Sequence, residues 1–285
     1  MKFSNLYIGT LSGTSADSID AALFELGKKI NLVGSASKKI PEDLKSEITK
    51  LSNTQKNLND YPTKSLIKLD ESFALETANL INKLLTKLNI NKNLVHAIGS
   101  HGQTIQHFPR IDKPYSLQIG NPRIISKVTG IKTVGNFRKA NIEHGGIGAP
   151  LTPAFHKEIF FSKKLNRVII NIGGITNITR LIPGKKIIGW DSGPGNCMID
   201  QCVKEFSSNK MQFDDKGRIA KKGNANALIK EINKVLSMSY FQENLPKSQS
   251  TINFNFNKLS KSNLNKYSFA DWAAAMTEIT ALSIV

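Results

Sequence analysis

The fold is decided by a strand–turn–strand stretch near the start of the sequence, Leu6-Tyr7-Ile8-Gly9-Thr10-Leu11-Ser12-Gly13-Thr14-Ser15-Ala16-Asp17-Ser18-Ile19-Asp20-Ala21-Ala22-Leu23-Phe24-Glu25-Leu26. Apolar residues at both ends predict two β-strands, and residues 30–34 predict a third. The connection is far longer than the two residues that a plain hairpin needs. Its hydroxyls, glycine amides and two carboxylates, Asp17 and Asp20, suit a phosphate group with a hydrated Mg²⁺. An ordinary turn rich in Ser and Thr is the alternative interpretation.

A second stretch of the same layout begins at residue 167 and has Gly173 and Gly174 in its turn. Each stretch is followed by segments whose apolar residues recur at helical spacing. Two such units predict an α/β protein built from two copies of one fold, over residues 1–130 and 131–285. Helices are predicted at residues 41–51, 63–88, 122–130, 153–161, 196–206, 225–238 and 270–285, and further strands at 94–99 and 131–135.

A carboxylate lies among glycines in a third stretch, Gly189-Trp190-Asp191-Ser192-Gly193-Pro194-Gly195-Asn196. The preceding apolar run predicts a strand, and a helix is predicted from Asn196 onward. Glycines let backbone N–H groups approach a ligand closely, and a helix N-terminus favours anions. Asp191 would then act as a base beside a phosphate-sized group. The alternative is that Asp191 only caps the helix or the turn.

The composition excludes several classes of function. The formal net charge is +17, yet only six of the 39 basic residues are arginine and the lysines are scattered, so nucleic-acid binding is not expected. No signal peptide or membrane span is evident, which predicts a cytoplasmic protein without membrane association. Cys197 and Cys202 lack a paired spacing and are predicted to be buried thiols.

Two further polar residues are candidates for ligand contacts. His101 follows the strand predicted at 94–99, at the end where ligands bind in open α/β sheets. It suits a hydrogen bond to a sugar or a phosphate, and a structural role is the alternative. Arg138 has a planar guanidinium that suits a carboxylate or a phosphate, and an ordinary surface position is its alternative. His101 and His107 have no other soft ligand nearby, so zinc is not expected.

Taken in order, nine stretches resemble one family, the anhydro-N-acetylmuramic acid kinases, which are bacterial sugar kinases of cell-wall recycling. They span the whole sequence and comprise residues 12–20 (SGTSADSID), 99–104 (GSHGQT), 118–122 (QIGNP), 136–138 (NFR), 145–151 (GGIGAPL), 171–177 (NIGGITN), 191–196 (DSGPGN) together with 246–248 (PKS), and 277–281 (TEITA).

The resemblance implies an actin/hexokinase-like fold with two ribonuclease-H-like domains around an interdomain cleft. It also implies a reaction, in which ATP, water and the 1,6-anhydro amino sugar give N-acetylmuramic acid 6-phosphate and ADP. A homodimer is expected only at the level of the family.

The same resemblance implies residue roles. Asp191 is expected to activate the water, and Arg138, His101 and Gln103 are expected to bind the sugar. Mg²⁺ is expected at Asp20 through water. The ATP phosphates are expected against Gly13, Thr14, Ser15, Ala16, Asp17, Ser18, Ile19, Asp20, Gly173 and Gly174.

Three departures from the family pattern leave alternatives open. Ser18 stands where the family usually has glycine, and Asn136 stands where it usually has aspartate, which weakens any ion pair that holds Arg138. The family continues into a glycine-rich adenosine-binding segment, and the predicted last helix stays apolar up to Val285, so we expect a truncated sequence. The alternatives are another sugar kinase of the actin-like fold and a non-catalytic carbohydrate- or nucleotide-binding fragment.

Overall fold

The first strand–turn–strand stretch forms a hairpin, as the sequence predicts, in a computed structural model that describes residues 5–52, 63–108, 114–249 and 251–285. Strands β1 (Leu6–Ser12) and β2 (Ser18–Leu26) pair antiparallel from Leu6 opposite Glu25 to Ser12 opposite Ile19. Strand β3 (Ile30–Lys39) extends this meander. The long connection of residues 13–17 therefore lies at one end of three paired strands.

Two more strands complete the first sheet in parallel with β1. Strand β4 (Val95–Ser100) pairs with β1, and the short β7 (Thr133–Val134) pairs with β4. The resulting order, β3-β2-β1-β4-β7, is that of a ribonuclease-H-like fold. The predicted fold class is thereby confirmed for this part of the chain.

The first unit has four described α-helices, and the first three contribute buried residues to its core. They are α1 (Glu42–Ser52), α2 (Thr63–Lys87), α3 (Pro122–Thr129) and α4 (Phe137–Glu143). Alternate residues of β1 and β2 point into the core and meet the apolar stripe of α2, including Ile8, Ile19, Leu23, Phe73, Ile81 and Leu84. Asn121 caps α3 by accepting a hydrogen bond from the Arg123 amide, and Gly130 ends it with φ of +73°.

A separate two-stranded sheet was not predicted from the sequence. Strands β5 (Gln103–Phe108) and β6 (Tyr115–Ile119) pair antiparallel. Polar residues on both faces of β5 hide the alternation that marks a half-buried strand, so the sequence does not indicate it. Gly102 has φ of +70°, and a Cβ there would lie 2.2 Å from the Ile119 carbonyl oxygen. Only glycine therefore fits where β5 begins.

The chain divides into two compact units, Met1–Gly148 and Ala149–Val285. The boundary predicted from the sequence lies after residue 130. Residues 131–148 instead belong to the first unit, because β7 hydrogen-bonds to β4 and α4 packs on β6.

The second unit opens with α5 (Thr152–Phe160) and a meander of its own. Strands β8 (Arg167–Ile172), β9 (Ile175–Leu181) and β10 (Ile188–Pro194) form an antiparallel sheet in the order β10-β9-β8. This meander repeats the layout of β1 to β3, as predicted. Strand β8 is an edge strand within the described residues and leaves Val168, Ile170 and Ile172 about half exposed.

Helices build the core of the second unit. Helix α6 (Asn196–Phe206) has its predicted bounds, and α7 (Ile229–Leu236), α8 (Phe256–Ser260) and α9 (Phe269–Leu282) follow. The helix predicted at 225–238 begins instead as a 3₁₀ turn over Ala225–Leu228. Trp272 of α9 is fully buried in this core, and Ser268 with Asp271 forms a capping box at the start of α9. No described helix is long and apolar enough to cross a membrane.

Burial along α9 gives a test of this core. Ile279 has no exposed surface, whereas 42% of Leu282 is exposed on the same helix. We expect Ile279→Ala to lower the free energy of unfolding by about 2–5 kcal/mol, because it removes buried methyl groups and leaves a cavity. Both tryptophans of the chain, Trp190 and Trp272, lie in the second unit. Their fluorescence during urea unfolding therefore reports on this unit.

The matched control is Leu282→Ala, which we expect to change the free energy of unfolding by less than about 1 kcal/mol. Equal losses for the two variants would contradict the placement of α9.

Candidate active site

Asp191 lies inside a strand and not in a glycine turn. Strand β10 runs through Asp191 to Pro194, and Asp191 lies opposite Asn177 of β9. The pairing shifts by one residue between Asp191 and Gly193, which marks a β-bulge. Helix α6 begins five residues after Asp191, with Gly195 as its N-cap. The alternative interpretation of Asp191 as a helix cap is therefore wrong.

The carboxylate of Asp191 is buried and held by two donors. The Ser248 hydroxyl donates to Oδ2 at 2.7 Å, and the Gln249 amide donates to the same oxygen at 2.9 Å. The Asp191 amide in turn donates to the Lys247 carbonyl oxygen at 2.9 Å. Only 7% of Asp191 is exposed. A buried carboxylate needs such donors to remain charged, and they also fix the direction of its oxygens.

A buried lysine and a tyrosine support this arrangement. The Lys247 ammonium donates to the carbonyl oxygens of Tyr240 at 2.9 Å and Phe241 at 3.3 Å. It also lies 4.6 Å from the centroid of the Tyr240 ring. The Tyr240 hydroxyl donates to the Asp191 carbonyl oxygen. The segment that carries Ser248 is thereby fastened to β10 at several points.

Ser248, Lys247 and Tyr240 received no role from sequence reasoning. The stretch 246–248 enters the sequence argument only through the family resemblance. The role of Ser248 depends on a long-range contact that no local sequence pattern shows, because Ser248 is 57 residues from Asp191 in sequence.

The turn with Gly173 and Gly174 packs against the start of α6. The Gly173 carbonyl oxygen accepts from the Asn196 amide at 2.7 Å, and the Gly174 carbonyl oxygen accepts from Gly195 at 3.0 Å and from Cys197 at 3.2 Å. The helix N-terminus was predicted to favour an anion. That prediction is wrong for these three amides, because carbonyl oxygens of the β8–β9 turn already occupy them.

In the first unit, the predicted phosphate loop is a connection braced at its base. The Ser12 hydroxyl lies 2.8 Å from the Ser18 carbonyl oxygen and 2.6 Å from Gln103 Oε1. Gly13, Thr14 and Ser15 are exposed, and the Ala16 amide donates to the Gly13 carbonyl oxygen at 3.0 Å. The exposed turn therefore presents a glycine and two hydroxyl residues.

Other residues of the predicted phosphate loop face elsewhere. The side chains of Ala16 and Ile19 belong to the hydrophobic core, so only their backbone is left for a nucleotide. The Asp17 carboxylate lies 2.6 Å from the Lys45 ammonium. Asp20 is exposed on β2, with the Ser18 hydroxyl 3.3 Å from its Oδ2.

The carboxylates of this connection fit a hydrated Mg²⁺ at Asp20 better than a fully protein-bound ion. No group of three His, Cys, Asp or Glu side chains that suits a metal occurs in the described part of the chain. Mg²⁺ binds through one or two carboxylates and keeps several waters, which an exposed Asp20 allows. Asp17 is a weaker candidate, because Lys45 already neutralises it.

The structure brings His101 and Arg138 together. Nδ1 of His101 lies 3.1 Å from the Gly102 carbonyl oxygen, and Nε of Arg138 donates to His101 Nε2 at 3.1 Å. This pattern assigns the neutral tautomer with hydrogen on Nδ1. Burial, followed by the charge of Arg138, lowers the pKa of His101, which agrees with a neutral ring.

Arg138 is held without an ion pair to residue 136. Asn136 precedes α4 with φ of +59° and makes no capping hydrogen bond through its side chain. Asparagine tolerates this left-handed conformation better than most residues. The predicted weakening of an ion pair is thus offset by the hydrogen bond from Arg138 to His101.

Gln103 has an internal role in this structure. Its side chain is fully buried, with Oε1 bound by the Ser12 hydroxyl and Nε2 donating to the Thr104 carbonyl oxygen at 3.0 Å. It ties β5 to the end of β1. The geometry therefore favours bracing of the phosphate loop over direct contact with a sugar.

The two cysteines do not offer a nucleophile. Both are free thiols, and burial raises the pKa of Cys197 and of Cys202 to about 12. A thiol with such a pKa stays protonated at neutral pH. The prediction of two thiols without a disulfide is confirmed.

Comparison with known proteins decides which kind of protein has this arrangement. The sequence profile described as "Anhydro-N-acetylmuramic acid kinase" matches residues 5–285. The chain belongs to the anhydro-N-acetylmuramic acid kinase family. The family predicted from the ordered motifs is thereby confirmed, and with it the actin/hexokinase-like fold.

Three relatives, each named anhydro-N-acetylmuramic acid kinase, show the extent of the similarity. The Coxiella burnetii protein is 38% identical over 98% of this chain and 73% of its own length. The Shewanella denitrificans protein is 37% identical over 98% of this chain and 74% of its own. The Idiomarina loihiensis protein is 36% identical over the same shares, 98% and 74%.

Similarity to solved structures is weaker. The (R)-2-hydroxyglutaryl-CoA dehydratase component A of Acidaminococcus fermentans covers 98% of this chain and 97% of its own, at 8% identity and a TM-score of 0.37. A TM-score this low carries no argument, so the fold assignment rests on strand order and family membership.

His107 gives a test of the electrostatics in the first unit. Burial, with a smaller effect from the charge of Arg138, lowers the pKa of His107 from 6.5 to about 4. In the unfolded chain the His107 ring gains a proton near pH 6.5, whereas in the folded protein it stays neutral down to about pH 4. The free energy of unfolding is therefore unaffected by this ring above pH 6.5. Between pH 6.5 and 4 the free energy of unfolding falls, because only the unfolded chain binds the proton. We expect His107→Gln to flatten the pH dependence of stability between pH 6.5 and 4, measured by urea unfolding.

Exposed His144 supplies the control, since His144→Gln should leave that pH dependence as in the wild type. A His107 imidazole that gains its proton near pH 6.5 in an NMR titration would contradict the burial of its ring.

Proposed function

We propose that the protein is an ATP-dependent kinase that hydrolyses the anhydro ring of 1,6-anhydro-N-acetylmuramic acid and phosphorylates O6. The product is N-acetylmuramic acid 6-phosphate, formed with ADP during cell-wall recycling. Family membership over almost the whole chain supports the reaction, and the oriented, buried carboxylate of Asp191 supports the chemistry. That carboxylate is the single observation that carries the proposal.

Asp191 acts as the general base. It takes a proton from a water molecule, and the water oxygen forms a bond to the anomeric carbon while the bond from that carbon to O6 breaks. O6 then takes the γ-phosphoryl group of ATP, and ADP leaves. A base must be held in a fixed direction to do this, and Ser248 with the Gln249 amide fixes Oδ2.

The first unit supplies the nucleotide and sugar contacts in this proposal. The exposed turn at Gly13, Thr14 and Ser15 binds phosphate oxygens, and Asp20 would hold a hydrated Mg²⁺. When bound, that ion neutralises the phosphate charge, while phosphoryl transfer depends mainly on positioning. Arg138, fixed by His101, binds the carboxylate of the lactyl group, since its planar fork suits that anion.

The remaining expectations complete the proposal. ATP is the phosphoryl donor, and Gly173 and Gly174 line its phosphate site by close backbone approach, with their carbonyl oxygens turned to α6 and the Gly173 amide bound to the Ile175 carbonyl oxygen. The protein acts in the cytoplasm, where ATP is available. The homodimer expected from the resemblance stays a prediction.

Substrate comparison tests the reaction itself. We expect ADP release with the anhydro sugar to exceed that with ordinary hexoses and amino sugars by at least about 100-fold in kcat/KM, because a site built for polar substituents rejects analogues that lack them. The measurement is a coupled assay of ADP. Faster turnover of a hexose would favour another sugar kinase of this fold, and sugar binding without turnover would favour a non-catalytic protein.

Substitution of Asp191 tests the base. We expect Asp191→Asn to lower kcat by about 10²–10⁴-fold, because the amide cannot accept the proton of the water. Nucleotide affinity, measured by calorimetry, should remain within about twofold, since phosphate binding is assigned to other residues.

The matched control is Asp215→Asn, whose carboxylate is exposed in the second unit. A folded Asp191→Asn protein with the kcat of the wild type would refute the assignment of the base.

A further inference from the structure

One face of the β5–β6 sheet carries four polar side chains. Thr104 lies directly opposite Gln118, and His107 lies directly opposite Ser116. Residues opposite each other in an antiparallel pair share a face, and so do residues two apart on one strand. Thr104, His107, Ser116 and Gln118 therefore form a single polar face, which we call the polar face.

A β-bulge aligns two members of this face. Thr104 and His107 are three residues apart, and regular alternation would place them on opposite faces. The pairing shifts between Thr104 and Gln106, which inserts an extra residue into β5. Bulges redirect side chains in this way and are frequent beside functional sites.

All four residues have buried polar atoms without a partner among the described residues. These atoms are the hydroxyl oxygens of Thr104 and Ser116, Nε2 of Gln118 and both ring nitrogens of His107. Buried polar atoms are nearly always hydrogen-bonded in native proteins, because an unmade bond costs stability. Four such residues on one face indicate that something besides the described protein atoms binds there.

The polar face is not part of the hydrophobic core. The opposite face of the sheet packs inward, where Gln103 binds Ser12 and Ile119 is buried. Helix α4 packs on β6, and a Cβ on Gly148 would lie 3.2 Å from Cε1 of His107. The polar face therefore lies beneath α4 and the glycine-rich segment that follows α4.

The charge of the polar face limits the ligand. Two hydroxyls and a carboxamide are neutral, and burial holds the pKa of His107 at about 4, so its ring is neutral as well. The face thus offers both donors and acceptors but no charge. Arg138 of α4 is the nearby cation, and its charge acts on both His101 and His107.

We propose that the polar face binds the acetamido substituent of an N-acetylated sugar. An acetamido group presents one N–H donor and one carbonyl acceptor without charge, which matches the mixed donors and acceptors of these four residues. The inference rests on the proposed function. It assigns recognition of the sugar's amide to the four residues of the polar face, which have no part in the proposed reaction. Because the polar atoms are shielded, binding shifts the covering residues 145–148, in which Gly145 and Gly148 have φ of +82° and +79°.

The test combines a change in the protein with a change in the sugar. The wild type and two variants, Ser116→Ala and Gln118→Met, are assayed with 1,6-anhydro-N-acetylmuramic acid and with the same sugar lacking the acetyl group. We expect each variant to lower kcat/KM for the acetylated sugar by about 3- to 10-fold, the effect of one neutral hydrogen bond. On the deacetylated sugar the same variants should have less than about twofold effect, because the lost partner is already absent.

Ser46→Ala, on the exposed side of α1, is the matched control and should change neither value. Equal losses on both sugars, or a lower melting temperature without a change in the ratio of the two kcat/KM values, would mean that the polar face only holds internal water. Either result would overturn the proposal.

Failure of the proposed function can be distinguished from failure of the polar-face proposal. If the wild type does not turn over the anhydro sugar, the proposed function fails, and calorimetric affinities for the two sugars provide the same comparison for the polar face. A wild type that binds neither sugar would overturn both proposals.

Discussion

A buried carboxylate must be hydrogen-bonded, and the second unit is arranged around meeting that need for Asp191. Loss of water around a carboxylate costs far more free energy than one hydrogen bond returns, so several fixed donors are required. Ser248 and the Gln249 amide supply them from a segment distant in sequence. That segment is itself fixed to β10 through Lys247 and Tyr240. The orientation of the proposed catalytic carboxylate and the stability of its burial therefore depend on the same contacts.

Close backbone packing extends this constraint to the start of α6. A Cβ on Gly195 would lie 2.2 Å from the Gly173 carbonyl oxygen, so the helix reaches the β8–β9 turn only because residue 195 is glycine. Thr280 of α9 adds a hydrogen bond from its hydroxyl to the Gly195 carbonyl oxygen at 2.8 Å. The amides at the start of α6, which the sequence predicts to bind an anion, therefore donate to carbonyl oxygens of the β8–β9 turn. In this unit Gly195 allows close packing at α6, and the proposed catalytic group is the Asp191 carboxylate on β10.

The first unit also buries polar groups, and they differ in whether protein atoms bind them. On the side of the core, the Gln103 side chain hydrogen-bonds to the Ser12 hydroxyl and to the Thr104 carbonyl oxygen. These two bonds fix the base of the predicted phosphate loop. Toward α4, the polar face keeps its groups unpaired among the described residues. A fold gains no stability from leaving polar atoms in that state, so four such residues gathered on one face support the proposed ligand recognition.

The sequence by itself determined the strand meanders, the long α2, the caps of α3 and the bounds of α6, because each depends on local periodicity or on residues within one turn. It also determined the family, through motifs that retain their order along the chain. Tertiary structure alone decided that Asp191 lies within β10, that Ser248 holds its carboxylate, that Arg138 meets His101 and that a bulge gathers four polar side chains on one face. Each of these depends on contacts between residues far apart in sequence or on a one-residue shift in strand pairing. Neither leaves a signal in local composition, because the same residues would satisfy a turn or a plain strand equally well.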